Sequence, residues 1–264
     1  MPEKKTHIGE TLADAAREAL EARLLQEIRA AGPVPQHLAI IMDGNRRFAR
    51  EQGLLVSLGH ASGKNKLEEL LDWCLEVGLR ILTVYALSTE NLSRDPAEVR
   101  DLMDLFEENF RKVGDDPRVH RHRIRVHAIG NRELLRPDVV KAIEYAEGRT
   151  KDYTDYTFNV ALAYGGREEI LRAIRALAQE VAAGRLRPQE IDEAAVSRRL
   201  YTADLPDPDL VLRTSGEERI SNFLLWQVAY AELYFADVYW PGLRKIDFLR
   251  AIRDFQRRRR RFGT

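Results

Sequence analysis

Leu38-Ala39-Ile40-Ile41-Met42-Asp43-Gly44-Asn45-Arg46-Arg47 is the stretch on which the reading of this chain turns. Five apolar residues in a row, with no polar alternation, predict a strand buried on both faces, as in a parallel sheet covered by helices. The run ends at once in a carboxylate, a glycine, an amide and two guanidinium groups. In such a sheet ligands gather beyond the carboxyl ends of the strands, where helix N-termini offer free N–H groups. Asp43 suits a divalent cation there, Gly44 lets the backbone approach a ligand, and Arg47 with the following helix suits an anion. An aspartate capping a helix of solvated arginines accounts for the same residues equally well.

Outward from this stretch the chain alternates. Apolar runs at 80–87, 124–129, 157–163, 209–212 and 232–236 predict further strands, the last of them short. Helical periodicity fills the intervals at 62–77, 96–113, 137–150, 167–184, 188–200, 221–230 and 245–261. Strands alternating with helices predict an α/β fold with a mainly parallel, six-stranded sheet surrounded by helices. Residues 9–31 place Leu12, Ala16, Leu20, Leu24 and Ile28 at steps of four, an amphipathic helix ending at Gly32 before Pro33 and Pro35. The expected organisation is this N-terminal helix over 1–32 and one catalytic domain over 33–264. The helix packs on the body or a partner, or faces a membrane.

With 264 residues, about 70–75% of the unfolded surface can be buried, so the core needs no disulfide or metal staple. Lys plus Arg and Asp plus Glu are 42 each, a balance that argues against a nucleic-acid coat. One cysteine, Cys74, excludes a disulfide framework and a Cys-based zinc site. The most apolar stretch, 223–236, is too short and polar to cross a bilayer, and the N-terminus has no apolar leader. A cytoplasmic protein is expected, with any membrane contact made transiently from the surface.

The residues after each strand carry the chemistry. Two familiar phosphate motifs are excluded: the haloacid-dehalogenase pattern needs an aspartate where Ile41 stands, and Gly59-His60-Ala61-Ser62-Gly63-Lys64-Asn65 departs from a P-loop in spacing and in ending on Asn. That strip, with His60 and Lys64, suits an anion or is a loop and cap. Ser88-Thr89-Glu90-Asn91 and Arg94 follow the second strand, as pocket groups or as a cap for the helix at Pro96. Arg213-Thr214-Ser215-Gly216-Glu217, Arg219 and Ser221 follow the fifth, and such guanidinium forks match phosphate oxygens. Glu232 stands in an apolar stretch, where a carboxylate is paired with an arginine or holds a metal. Together these predict an enzyme for phosphorylated substrates that uses a divalent cation.

At the same residues the chain resembles a known family. His37 to Arg47 looks like the signature of the cis-prenyltransferases, the undecaprenyl diphosphate synthase family. The likeness runs on through Gly59-His60, Tyr85-Ala86, Ser88 to Asn91 and Tyr164-Gly165-Gly166-Arg167. It is densest over Asp209 to Glu217 and Arg219 to Gln227, and closes with Ala231 to Phe235 and Trp240-Pro241. The resemblance implies Mg-dependent condensation of isopentenyl diphosphate with an allylic diphosphate, C15 or C20, each addition making a cis double bond. The polyprenyl diphosphate formed would serve as a lipid carrier. It also implies a homodimer and an apolar tunnel enclosed by the fold; the aromatics around 223–240 are candidate walls or, for most of them, ordinary core.

Residue by residue, the resemblance implies Asp43 as the aspartate working with Mg2+, and Asn45 and Ser88 as catalytic partners. Gly44, Asn45, Arg46, Arg47, His60, Asn91 and Arg94 would bind the allylic diphosphate. Arg213, Arg219 and Ser221 would cradle isopentenyl diphosphate, and Glu232 would be the second Mg2+ carboxylate. Arg261-Phe262-Gly263 resembles an Arg-x-Gly tail that reaches the partner's diphosphate site, which brings Arg261 and Gly263 into the isopentenyl set. Val56 stands where bacterial members commonly have arginine, Arg46 where glycine is frequent, Glu218 where some have histidine, and Leu92 where tryptophan is frequent. A catalytically dead partner subunit would lack the Asp43 and Asn45 machinery. The all-helical trans-prenyltransferases need Asp-Asp-x-x-Asp, and the one Asp-Asp here, Asp115-Asp116, continues Pro117-Arg118-Val119.

Overall fold

In the computed structural model, residues 3–258 are described, the first twelve of them as backbone alone. All six expected strands form: β1 His37–Ile41, β2 Ile81–Tyr85, β3 Ile124–Ile129, β4 Tyr156–Ala161, β5 Leu210–Arg213 and β6 Glu232–Phe235. They make one parallel sheet in the order β3-β4-β2-β1-β5-β6. β1 and β2 are buried along their whole length, as strands covered on both faces must be. The register sets Ile41 beside Tyr85 and Arg213, so the loops after β1, β2 and β5 leave the sheet at one edge.

Nine helices surround the sheet among the described residues: α1 Glu3–Ala31, α2 Asn45–Glu51, α3 Val56–Val77, α4 Pro96–Asp115, α5 Pro117–Arg121, α6 Pro137–Thr150, α7 Gly166–Ala182, α8 Glu193–Ser197 and α9 Lys245–Arg257. Local chemistry starts several of them. Asp95 caps α4 by accepting from the Ala97 N–H at 2.8 Å, with Pro96 at the first helical position. One face of the sheet is covered by α1, α3, α4, α6 and α9 around Leu38, Ile40, Leu70, Ile143 and Leu249. The other carries Ile41, Tyr85, Tyr164, Phe223 and Leu224. Of the amphipathic N-terminal stripe, Leu24 and Ile28 are buried against the body, and Gln256 of α9 donates to the Ile28 carbonyl at 3.0 Å. Leu20 is exposed, and Leu12 lies outside the side chains described.

Three expectations change. The segment 221–230, read as a helix, is a series of turns, because Ser221, Asn222 and Leu224 have φ of 46°, 64° and 46°. Tertiary bonds hold it in that shape: the Asn222 carbonyl accepts from the Gly166 N–H at 2.7 Å, and Phe223 stacks on Tyr85 with centroids 4.5 Å apart. The span 188–200 breaks into a short 3-10 turn and α8. The strip from Gly59 to Asn65 is neither loop nor cap but lies within α3. Its glycines allow a close helix crossing: a Cβ on Gly63 would sit 2.5 Å from Asn45 Oδ1.

Candidate active site

Asp43 follows β1 directly, and the Thr214 hydroxyl fastens it to the neighbouring strand end. That hydroxyl accepts from the Asp43 N–H at 2.9 Å and donates to its carbonyl at 2.7 Å. The carboxylate receives Arg213 Nη2 at 2.9 Å and Arg47 Nη2 at 3.2 Å on the same oxygen. Burial opposes ionisation of Asp43, but hydrogen bonds from Arg213 and Ser215 and the charges of Arg213 and Arg47 outweigh it and hold the group below the usual carboxylate range. Arg213 is the last residue of β5, its side chain 4% exposed. Its Nη1 donates to Ser221 Oγ at 2.7 Å and to the Arg219 carbonyl. Arg47 donates to Glu217 Oε1 and Ser215 Oγ, both at 2.8 Å, and lies over the Tyr239 ring. Gly44 has φ of 105°, and a Cβ there would meet Tyr239 at 2.7 Å, so the turn from β1 into α2 admits glycine alone.

The loop after β2 closes the other side. Ser88 and Asn91 bond reciprocally, Asn91 N–H to Ser88 Oγ at 3.1 Å and Ser88 N–H to Asn91 Oδ1 at 3.3 Å. They therefore shape their own turn, while Asp95 caps α4. Burial raises the Glu90 carboxyl, but hydrogen bonds from its own N–H, Ser88, Asn222 and Thr89 prevail and leave it below the ordinary value. Asn222 donates to Glu90 at 3.0 Å, tying this loop to the one after β5. Glu98, 11% exposed, gathers two guanidinium groups and an imidazole: Arg94 at 2.9 Å, His60 at 3.3 Å and Arg46 at 3.7 Å. Burial, the largest effect, and the charges of Arg94 and Arg46 lower the His60 value against the pull of Glu98.

These groups surround a cleft of about 720 Å³ lined by Asp43, Gly44, Asn45, Arg46, Arg47, His60, Ser88, Asn91, Arg94, Arg213 and Ser221. Arg219, 58% exposed, is not among the residues lining the cleft and pairs with Glu217. A second cavity of about 180 Å³ adjoins it, sharing Met42, Asn45, His60, Ala86 and Leu102. It runs between α3 and α4 along Leu67, Leu71, Phe106, Phe110 and Phe158. The apolar passage is thus walled by these helices and the sheet. Phe223, one of the aromatics considered as wall or core, is core: it packs on the opposite face with Leu224 beside it.

One site expectation fails on geometry. Glu232 pairs in register with Leu210 and hence with Leu38, at the amino ends of the strands. Asp43 lies five residues beyond Leu38, about 16 Å away at the usual strand rise. The Glu232 carboxylate instead accepts from Arg258 at 2.9 Å, the arginine-paired alternative. Arg261 and Gly263 lie outside the described residues. Glu98 and Asn222 were missed as organising residues. The i to i+4 spacing of Arg94 and Glu98 was the available signal for the first, and nothing local signals the second.

A substrate suited to both cavities has a phosphate ester at one end and hydrocarbon at the other, which is the class of enzyme that fold and site define. The undecaprenyl diphosphate synthase family model matches residues 41–263. A tritrans,polycis-undecaprenyl-diphosphate synthase (geranylgeranyl-diphosphate specific) of Methanopyrus kandleri is 56% identical, covering 91% of this chain and 89% of that one. Its namesake from Thermococcus kodakarensis is 52% identical over 98% and 97% of the two chains. The crystal structure of lavandulyl diphosphate synthase from Lavandula x intermedia with dimethylallyl diphosphate superposes with a TM-score of 0.84 at 38% identity, covering 88% of this chain and 99% of that one. The chain belongs to the undecaprenyl diphosphate synthase family. It is a cis-prenyltransferase, condensing isopentenyl diphosphate with an allylic diphosphate to a polyprenyl diphosphate.

Proposed function

We propose that the allylic primer is geranylgeranyl diphosphate and the product an undecaprenyl diphosphate that serves as a lipid carrier. The observation that carries this is the specificity in the names of relatives more than half identical over nearly the whole chain. The apolar cavity opening off the cleft supports a primer with a hydrocarbon tail.

The reaction breaks the C–O bond between the allylic C1 and its diphosphate, forms a C–C bond from C4 of isopentenyl diphosphate to that C1, and releases a proton from C2. Arg46, Arg47, His60, Asn91 and Arg94, with the backbone at Gly44, are assigned to the leaving diphosphate, whose growing charge guanidinium groups stabilise where it forms. Arg213, Arg219 and Ser221 are assigned to isopentenyl diphosphate. Asn45 and Ser88 are assigned to the reacting carbons; Asn45 Oδ1 is a buried acceptor without a hydrogen-bond partner, packed against Gly63 of α3.

Among the described residues no three His, Cys, Asp or Glu side chains are placed to hold an ion together. Mg2+ is commonly bound by one or two carboxylates plus substrate phosphates, and an ionised, half-buried Asp43 at the cleft fits that donor set. Bound there, Mg2+ would offset the charge of the departing diphosphate.

A homodimer is the assembly we infer, supported by Leu171 and Ile174 left 49% and 51% exposed one turn apart on α7. Leu54, Leu55 and Leu58, exposed around the start of α3, support transient contact with a membrane surface. No helix among the described residues is long and apolar enough to cross a membrane.

The test is incubation with Mg2+, labelled isopentenyl diphosphate and C10, C15 or C20 primers, with products sized by chromatography. The C20 primer is expected to give the highest kcat/KM. Preference for C15 would overturn the primer assignment, and folded protein inert with every primer would overturn the whole reading.

A further inference from the structure

Glu217 holds two arginines that come from different parts of the chain. Its Oε1 accepts from Arg47 Nη1 at 2.8 Å, and its Oε2 accepts from Arg219 Nη1. Arg47 sits on α2, after β1, whereas Arg219 sits in the loop after β5, where its carbonyl is held by Arg213. Among the described residues, Glu217 is the side chain through which these two guanidinium groups meet.

The backbone beneath Glu217 is fastened. The Ser215 N–H donates to the Val238 carbonyl at 2.6 Å and the Gly216 N–H to the Ala236 carbonyl at 2.9 Å, so the turn is clipped to the end of β6. Ser215 and Gly216 both have positive φ, at 80° and 69°, the tight turn that precedes Glu217. The side chain is 29% exposed, so solvent reaches the carboxylate. What can change when ligands arrive is therefore the carboxylate, and one rotation breaks both ion pairs together.

We propose that Glu217 is a positioning residue that couples the two diphosphate subsites. This rests on the reading that Arg47 serves the allylic diphosphate and Arg219 the isopentenyl diphosphate. An incoming diphosphate repels the neighbouring carboxylate and competes for the guanidinium it holds. Whichever substrate binds first displaces Glu217 and releases both arginines from it, Arg47 keeping its contacts to Asp43 and Ser215. The second substrate then bears no cost of displacing Glu217. By linkage the benefit is mutual, each substrate strengthening the other by the same factor. Without ligands, the bridge holds the two arginines together.

The experiment measures binding without turnover. Isopentenyl diphosphate is titrated calorimetrically into the protein, alone and with a saturating thiolodiphosphate analogue of geranylgeranyl diphosphate that does not ionise. The ratio of the two dissociation constants is the coupling factor. In Glu217→Gln the amide can accept from one arginine but cannot bridge two. Isopentenyl diphosphate alone is expected to bind this variant several-fold more tightly than wild type, and the coupling factor to fall about tenfold, within the usual range for coupled sites. Glu217→Ala should behave likewise. Thermal unfolding of each variant verifies that the fold is retained, a change a purely structural role for Glu217 would produce in place of the coupling loss. Equal coupling factors in wild type and both folded variants would overturn the proposal. Wild-type protein that binds neither diphosphate would instead remove the reading on which it rests.

Discussion

The cleft at the carboxyl edge and the cavity between α3 and α4 share five lining residues, yet they recognise in opposite ways. In the cleft nearly every charge already has a partner: Asp43 with Arg213 and Arg47, Glu217 with Arg47 and Arg219, Glu98 with Arg94, His60 and Arg46. Such a network fixes directions, so it suits a diphosphate head of defined geometry, and a single substitution misplaces several groups. The cavity has no directional demand. Leucine and phenylalanine side chains bind hydrocarbon in proportion to buried area, and tolerate a tail of changing length. A diphosphate head renewed at each condensation and a tail that grows need these two kinds of wall side by side.

The sharpest way to break the comparison is to remove charge from the head site alone. Asp43→Asn keeps the shape, and kcat is expected to fall about 10²–10³-fold, as for loss of one preorganised electrostatic contact. Single-turnover rates at saturating substrates check it, and an unchanged rate would remove Asp43 from the chemistry. Next in size is Glu98→Ala, which frees Arg94, His60 and Arg46 together. The KM for the allylic substrate should rise about tenfold, roughly one charge-assisted hydrogen bond, with the isopentenyl KM nearly unaffected. A parallel rise in both would show that Glu98 does not serve one subsite.

The reverse experiment fills the tail site. Leu71→Trp narrows the cavity between α3 and α4. Products are expected to shorten while the first condensation stays within about threefold of wild type, since the head contacts are untouched and overpacking strain is modest. Unaltered product length would disqualify this cavity as the berth of the growing chain.

The smallest effect is expected at His60, which lines both cavities. Burial holds its folded value below that of a free imidazole, so it is neutral at pH 7 and its stability contribution is complete above the free imidazole's value. That contribution is lost as the pH falls through the lowered folded value, where a charge appears beside the apolar passage. Melting temperature and activity should both decline in that window, less so in His60→Asn. Identical acid limbs in the two proteins would assign the decline elsewhere.

Much of the frame was legible from the sequence. Each of the six strands lies within about two residues of its expected span, because uninterrupted apolar runs leave few alternatives to burial in a parallel sheet. The polar residues after β1, β2 and β5 were found for the same reason, since parallel strands deliver their following loops to one edge. The errors share one cause. The segment 221–230 has helical periodicity, but Phe223 and Leu224 are spaced for a pocket against Tyr85 and Tyr164, which only the assembled sheet creates. The close crossing that Gly59 and Gly63 allow, against α2 and Trp240, was not legible either, since nothing near them in the chain signals those neighbours.

The sequence by itself determined the sheet, its parallel sense and the chemical inventory of its carboxyl edge, because those follow from local hydrophobic period and residue type. Only the tertiary structure decided which charges meet. Glu232 carries the same carboxylate as Asp43 and was expected beside it, but the β5–β6 register sets it at the other end of the sheet with Arg258. Glu98 and Glu217, inconspicuous in the chain, became the hubs of the cleft. Coulombic and hydrogen-bond pairing depends on separations of a few ångströms, and across many residues of sequence only the fold supplies those separations.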